Sequence, residues 1–183
     1  MAINLQDIRD AVKDYLDTKV TTTVSEFRPD VPNTINPGEH FKFDITATNA
    51  KKSDGGLRLI NVRYHLKVDK VNGSAIVKLI VPGKNAGFGY AWFSGPSLDT
   101  DTELLAPGKQ VTEAWVQHYG IPDDTNTLIL EVGETDTIKN IEGVATDLGS
   151  ATISCDVAAD MDITYLIPTG EESPTSSRQL DVV

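Results

Sequence analysis

The sequence predicts an all-β sandwich of antiparallel sheets preceded by a short amphipathic helix. Three observations carry that expectation. Apolar residues alternate with polar ones at 41–48 and again at 60–69. Pro-Gly and Asn-Gly pairs punctuate the apolar runs. Helical spacing of apolar residues is confined to the first 16 positions.

The helix has a legible start. Asn4 suits an N-cap, and Asp7 falls at N3, where a carboxylate favours the helix dipole. Ile3 and Ile8 occupy the two positions of a hydrophobic staple. Leu5, Ile8, Val12, Tyr15 and Leu16 then form one face, opposite Asp10, Lys13 and Asp17. A helix of fewer than about 15–20 residues is marginal in water, so this stripe must dock. Its own sandwich and a neighbouring subunit both remain open as the docking partner.

From Val20 the period changes. Val20–Val24 is β-branched throughout, and Asn36-Pro37-Gly38-Glu39 has the composition of a type II turn. Phe41, Phe43, Ile45 and Ala47 alternate with Lys42, Asp44, Thr46 and Thr48, the signature of a half-buried antiparallel strand. Ile60, Val62, Tyr64, Leu66 and Val68 repeat the pattern. Asn72-Gly73 marks a turn, and Ala75–Val81 is a further strand. Ala106-Pro107-Gly108-Lys109 opens a strand over Val111–Tyr119, and Thr127–Val132, Ser150–Val157 and Met161–Ile167 complete eight or nine strands.

The aromatic stretch Phe88, Tyr90, Trp92, Phe93 admits two arrangements: core aromatics on an irregular strand, or a patch that meets a partner. Beyond Pro168 the run 169–177 is too polar to build a core and is expected to be a flexible tail, or an arm that orders on a partner. The expected organisation is therefore a helical arm over 1–19, a sandwich over 20–168 and a tail over 169–183.

Charge and cysteine content narrow the function. With 16 Lys and Arg against 27 Asp and Glu, the net charge of −11 opposes binding to a phosphate backbone, so nucleic acid is not an expected partner. No apolar run approaches the roughly 20 residues of a membrane span, and the first residues lack the basic and apolar regions of a secretory signal. The single Cys155 has no partner for an internal disulfide and sits on a strand face with Ile153 and Val157, so it is expected to be a buried, inert thiol.

Catalytic patterns are sparse. His40, His65 and His118 lack neighbours at metal-ligand spacing and are expected at the surface. Asp99, Asp101 and Glu103 could present oxygens to calcium, although the loop lacks the glycine and distal Glu of an EF-hand, and an acidic solvated loop is the better reading. Asp123-Asp124 and Glu134-Thr135-Asp136 are expected to be acidic turns. No enzyme activity and no cofactor are expected.

Two segments carry a family likeness. Residues 35–49 (INPGEHFKFDITATN) and 105–115 (LAPGKQVTEAW) each place a Pro-Gly turn before a strand, and the region 20–135 resembles bacterial CARDB-type immunoglobulin-like modules. The likeness implies an immunoglobulin-like antiparallel sandwich. A single acidic copy with a leading helix is in turn similar to structural proteins of tailed-bacteriophage virions, above all capsid decoration (cement) proteins. That resemblance implies a homo-oligomer on the capsid surface, made in the host cytoplasm, holding the major capsid protein or other virion subunits. The helix stripe and Phe88, Tyr90, Trp92 and Phe93 would supply the contacts. The alternatives are a carbohydrate- or surface-binding module, and a neck, tail or fibre protein.

Overall fold

The computed structural model describes residues 4–8, 10, 23–25, 27–50, 58–74, 77–82, 90–95, 103–118, 129–162, 168–172 and 175–183. Among them twelve strands form two sheets around one core. The strands are β1 (Thr23–Ser25), β2 (Thr34–Ile35), β3 (His40–Ala50), β4 (Arg58–Gly73), β5 (Val77–Ile80), β6 (Tyr90–Phe93), β7 (Gln110–Val111), β8 (Glu113–His118), β9 (Thr135–Ala145), β10 (Gly149–Asp162), β11 (Pro168–Glu172) and β12 (Thr175–Val182). One sheet runs β1-β3-β9-β5-β7; the other runs β2-β12-β10-β4-β8-β6, with β11 also pairing β10. Pairing is antiparallel except where β12 meets β2. The all-β sandwich expected from alternation is the fold observed.

The strand β3 behaves as its sequence demands. Phe41, Phe43, Ile45, Ala47 and Asn49 are buried, and the intervening residues are exposed or half-exposed. Both Pro-Gly turns adopt the left-handed glycine that a type II turn requires, with φ of 82° at Gly38 and at Gly108. In the first, Glu39 caps its own turn by accepting from the amide and side chain of Asn36, which holds its carboxyl below the usual range.

On β4 the alternation slips once. Val62, Tyr64 and Leu66 are buried as expected, but further back Leu59 rather than Ile60 turns inward. The register explains it: Arg63 faces Ala158 and Ile60 faces Asp160, three steps on β4 against two on β10. A bulge inserts one residue and moves every earlier side chain to the opposite face.

A second bulge hides a whole strand. Glu134–Asp136, expected to be a solvated acidic turn, instead leads into β9, which pairs β3 on one side and β5 on the other. Phe43 faces Ile141 while Ile45 faces Ile138, so β9 carries the extra residue. Asn140 absorbs it with φ of 57°, and its amide donates to Asp44 Oδ1 at 2.8 Å. Ile138 and Ile141 both point inward although they are three apart, which breaks the period-two signal. Further along, Gly143 lies under the Phe41 ring, where an added Cβ would collide with it.

The expected single strand from Val111 changes sheets at Thr112. Gln110–Val111 pairs β5 in one sheet, and Glu113–His118 pairs β4 and β6 in the other. The expected strand at 127–132 appears, among its described residues, as one bridge between Leu130 and Leu59. The strands expected at 150–157 and 161–167 form one continuous β10 up to Asp162.

The C-terminus is the largest correction. Residues 175–182 are strand β12, paired with eight consecutive residues of β10, and Leu180 and Val182 are buried. Val183 also donates to the Ile35 carbonyl at 2.9 Å, and Asp181 to the Asn33 carbonyl at 3.0 Å. The exposed polar residues Ser177, Arg178 and Gln179 conceal two apolar anchors, and the backbone of β10 supplies the rest of the binding.

Candidate interaction surfaces

The N-terminal residues form the cap that the sequence predicts. The Gln6 amide donates to Asn4 Oδ1 at 3.1 Å, and the Ile8 amide to the Asn4 carbonyl at 3.3 Å. Gln6 Nε2 also donates to Asp10 Oδ1 at 3.0 Å, one turn on. Leu5 is 72% exposed and Ile8 45% exposed. Val12, Tyr15 and Leu16 lie outside the described residues.

The aromatic segment resolves differently from a contact patch. Trp92 belongs to the core, and Phe93 is buried as well. Their strand has no free edge at this point: Leu105 donates to the Trp92 carbonyl at 2.8 Å, and Ser94 to the Glu103 carbonyl at 3.0 Å. Segment 103–105 thus covers β6, and neither Trp92 nor Phe93 is available to a partner. Phe88 lies outside the described residues. Tyr90 is half-buried and reaches across to β9, where its hydroxyl donates to the Thr137 carbonyl at 3.2 Å.

Beside Tyr90 the two sheets share a polar contact that sequence reading missed. The Tyr64 hydroxyl on β4, fully buried, donates to Asp136 Oδ2 on β9 at 2.5 Å. Burial first, and the nearby Asp136 charge second, push both the Tyr64 and the Tyr90 hydroxyls well up from the ordinary phenol range. The consequence has a definite sign. Both hydroxyls stay neutral in the folded chain while the unfolded chain ionises near pH ~10. Their stabilisation is whole below that pH and is lost as pH rises above it. The urea midpoint is expected to fall between about pH 9.5 and 11.5, and Tyr64→Phe should flatten that fall. At neutral pH the same variant should lose about 1.5–3 kcal/mol, the range for a hydrogen bond to a charged acceptor.

The cysteine and two of the histidines are accounted for structurally. Cys155 is fully buried, as expected, and burial pushes its thiol well up. His40 contacts Glu142 at 2.7 Å on the outer face of the five-stranded sheet. His65 is more covered than a wet strand face suggests, with 17% of its side chain exposed. Its ring stacks on Trp115 with centroids 4.4 Å apart, and its nitrogens lie 2.7 Å from Glu113 and 3.4 Å from Asp156. The side chain of His118 lies outside the described residues.

The acidic loop is described only at Glu103, which is exposed and whose amide donates to Ser94 Oγ at 2.9 Å. Asp99 and Asp101 lie outside the described residues. Among those described, no three His, Cys, Asp or Glu side chains converge as a metal ion would require. No described helix is long and apolar enough to cross a membrane.

Comparison with known proteins adds no family. No family model matches the chain, and no curated protein does. Among solved structures, AvmM, which catalyses macrocyclization in alchivemycin A biosynthesis, is 14% identical, with 89% of this chain and 88% of that one covered and a TM-score of 0.38. A cohesin module from a Clostridium perfringens family 33 glycoside hydrolase is 10% identical, with coverage of 90% and 98% and a TM-score of 0.39. Likeness this distant carries no argument about what the chain does.

Proposed function

We propose that the chain is a non-catalytic structural protein, an immunoglobulin-like sandwich that decorates a phage capsid by holding neighbouring subunits through its N-terminal helix. The observation that supports this reading is the capped helical start, which presents Leu5 and Ile8 to solvent. A helical segment this short gains little stability by itself, and its apolar residues are stabilised only when something covers them. The occupant in this reading is the major capsid protein or another virion subunit, with self-association about a symmetry axis. Burial of Trp92 and Phe93 removes two of the aromatics on which the sugar-binding alternative depends.

Deletion of residues 1–18 tests the reading. The expected outcome is a sandwich whose melting temperature changes by less than about 3 °C, because the core among the described residues begins at Phe27. Co-sedimentation with shells assembled from the cognate major capsid protein should be lost at the same time. Retained co-sedimentation by the deletion, or none by the intact chain, overturns the proposal.

A further inference from the structure

A groove of about 370 Å³ opens beside the point where the chain crosses from β7 to β8. Lys78 of β5 and Lys109 of the Pro-Gly turn line it, together with Leu105, Gln110, Val111 and Glu113. Its charge is opposite to that of the chain. The net charge is −11, yet neither Lys78 nor Lys109 forms an ion pair with a described carboxylate. Glu113, the carboxylate in the lining, is drawn 2.7 Å from His65 on the neighbouring strand. Both ammonium groups are therefore free to meet an anion.

Backbone and floor specify what kind of anion. Among the described residues, strand β7 is the outermost of its sheet. Lys109 turns its carbonyl to β5, accepting from the Val81 amide at 2.9 Å. Antiparallel pairing alternates, so the amide and carbonyl of the next residue, Gln110, face away from β5 and stand ready for an added chain. The apolar side chains of Leu105 and Val111 can take an aliphatic side chain between two charged ones.

We propose that this groove docks an extended acidic peptide segment of a partner protein, which lies along β7 and pairs its carboxylates with Lys78 and Lys109. The inference is independent of the helix and of the virion reading. Strand addition supplies affinity from the backbone, and the lysines supply the preference for acidic side chains.

The probe is a capped hexapeptide of alternating Glu and Val, titrated into the ¹⁵N-labelled full-length chain. Saturable amide shifts should be confined to the groove, at Lys78 and 109–112, and should weaken with added salt. Lys109 is exposed on a turn, so K109E keeps the fold; it should weaken binding about tenfold, and K78Q should do so in the same direction. K42Q, at an exposed lysine on β3, three strands across the sheet from β7, should leave affinity within about twofold. Shifts scattered outside the groove, equal binding of a Lys-Val hexapeptide, or an unaffected K109E would each overturn the proposal. Inorganic phosphate reproducing the same shifts at the same concentration would also overturn it, showing a simple anion site.

Discussion

Removing residues 175–183 is expected to unfold the sandwich. The strand β12 closes the seven-stranded sheet by lying between β10 and β2, so its loss leaves eight residues of β10 without a partner on that side and leaves β2 without any sheet neighbour. Leu180 and Val182 leave the core with it. Two aliphatic side chains are worth roughly 2–3 kcal/mol each on burial, and the freed ladder adds a long edge that favours aggregation. A loss of about 5 kcal/mol matches the whole stability of a marginal domain. The truncated chain should therefore be insoluble or show no cooperative urea transition. Leu180→Ala gives the graded version, with a loss of about 2–5 kcal/mol read from the urea midpoint. A truncated protein that melts within about 3 °C of the intact one would mean that the chain end is an appendage after all.

The reason this strand escaped sequence reading is physical. Binary patterning sees side chains, and β12 is held largely by its backbone, with apolar anchors only at its last turn of alternation. In β3, where five inward side chains in succession are apolar or buried, burial dominates and the pattern is plain. The strand β9 fails for another reason. Asn140 inserts a residue, so Ile138 and Ile141 share a face at a spacing that belongs to helices. The bulge in β4 displaces Ile60 and admits Leu59 in the same way. Thr112 carries no mark that distinguishes a sheet crossing from a strand interior.

Site residues divide along similar lines. The Asn4 cap was legible because it needs only local chemistry. The Tyr64–Asp136 contact spans 72 positions and depends on how the two sheets meet, which no local window contains. The same holds for the groove, whose two lysines, one on β5 and one on the turn before β7, are 31 positions apart and meet only because β7 pairs β5. Trp92 and Phe93 were ambiguous for lack of one fact, that segment 103–105 covers their strand.

Gly73→Ala is expected to cost more than any other glycine substitution at the turns. Gly73 ends β4 with φ of 68°, a region where an L side chain is strained by about 1–2 kcal/mol. A Cβ there would also lie 2.9 Å from the Gly149 Cα and 2.9 Å from the Leu148 carbonyl oxygen. Both atoms are backbone, in the turn that starts β10, so neither can rotate aside as a side chain would. Relief requires the start of β10 to move away from the end of β4, and such overpacking adds about 1–3 kcal/mol. The sum, about 3 kcal/mol, should lower the melting temperature by roughly 6–12 °C in a chain of this size. Gly38→Ala separates the two causes, because Gly38 has φ of 82° but open space around it. It should lose only the backbone part, about 2–8 °C. Equal losses at the two positions would show that the close approach of β4 to the Leu148–Gly149 turn contributes nothing to the stability of the sheet.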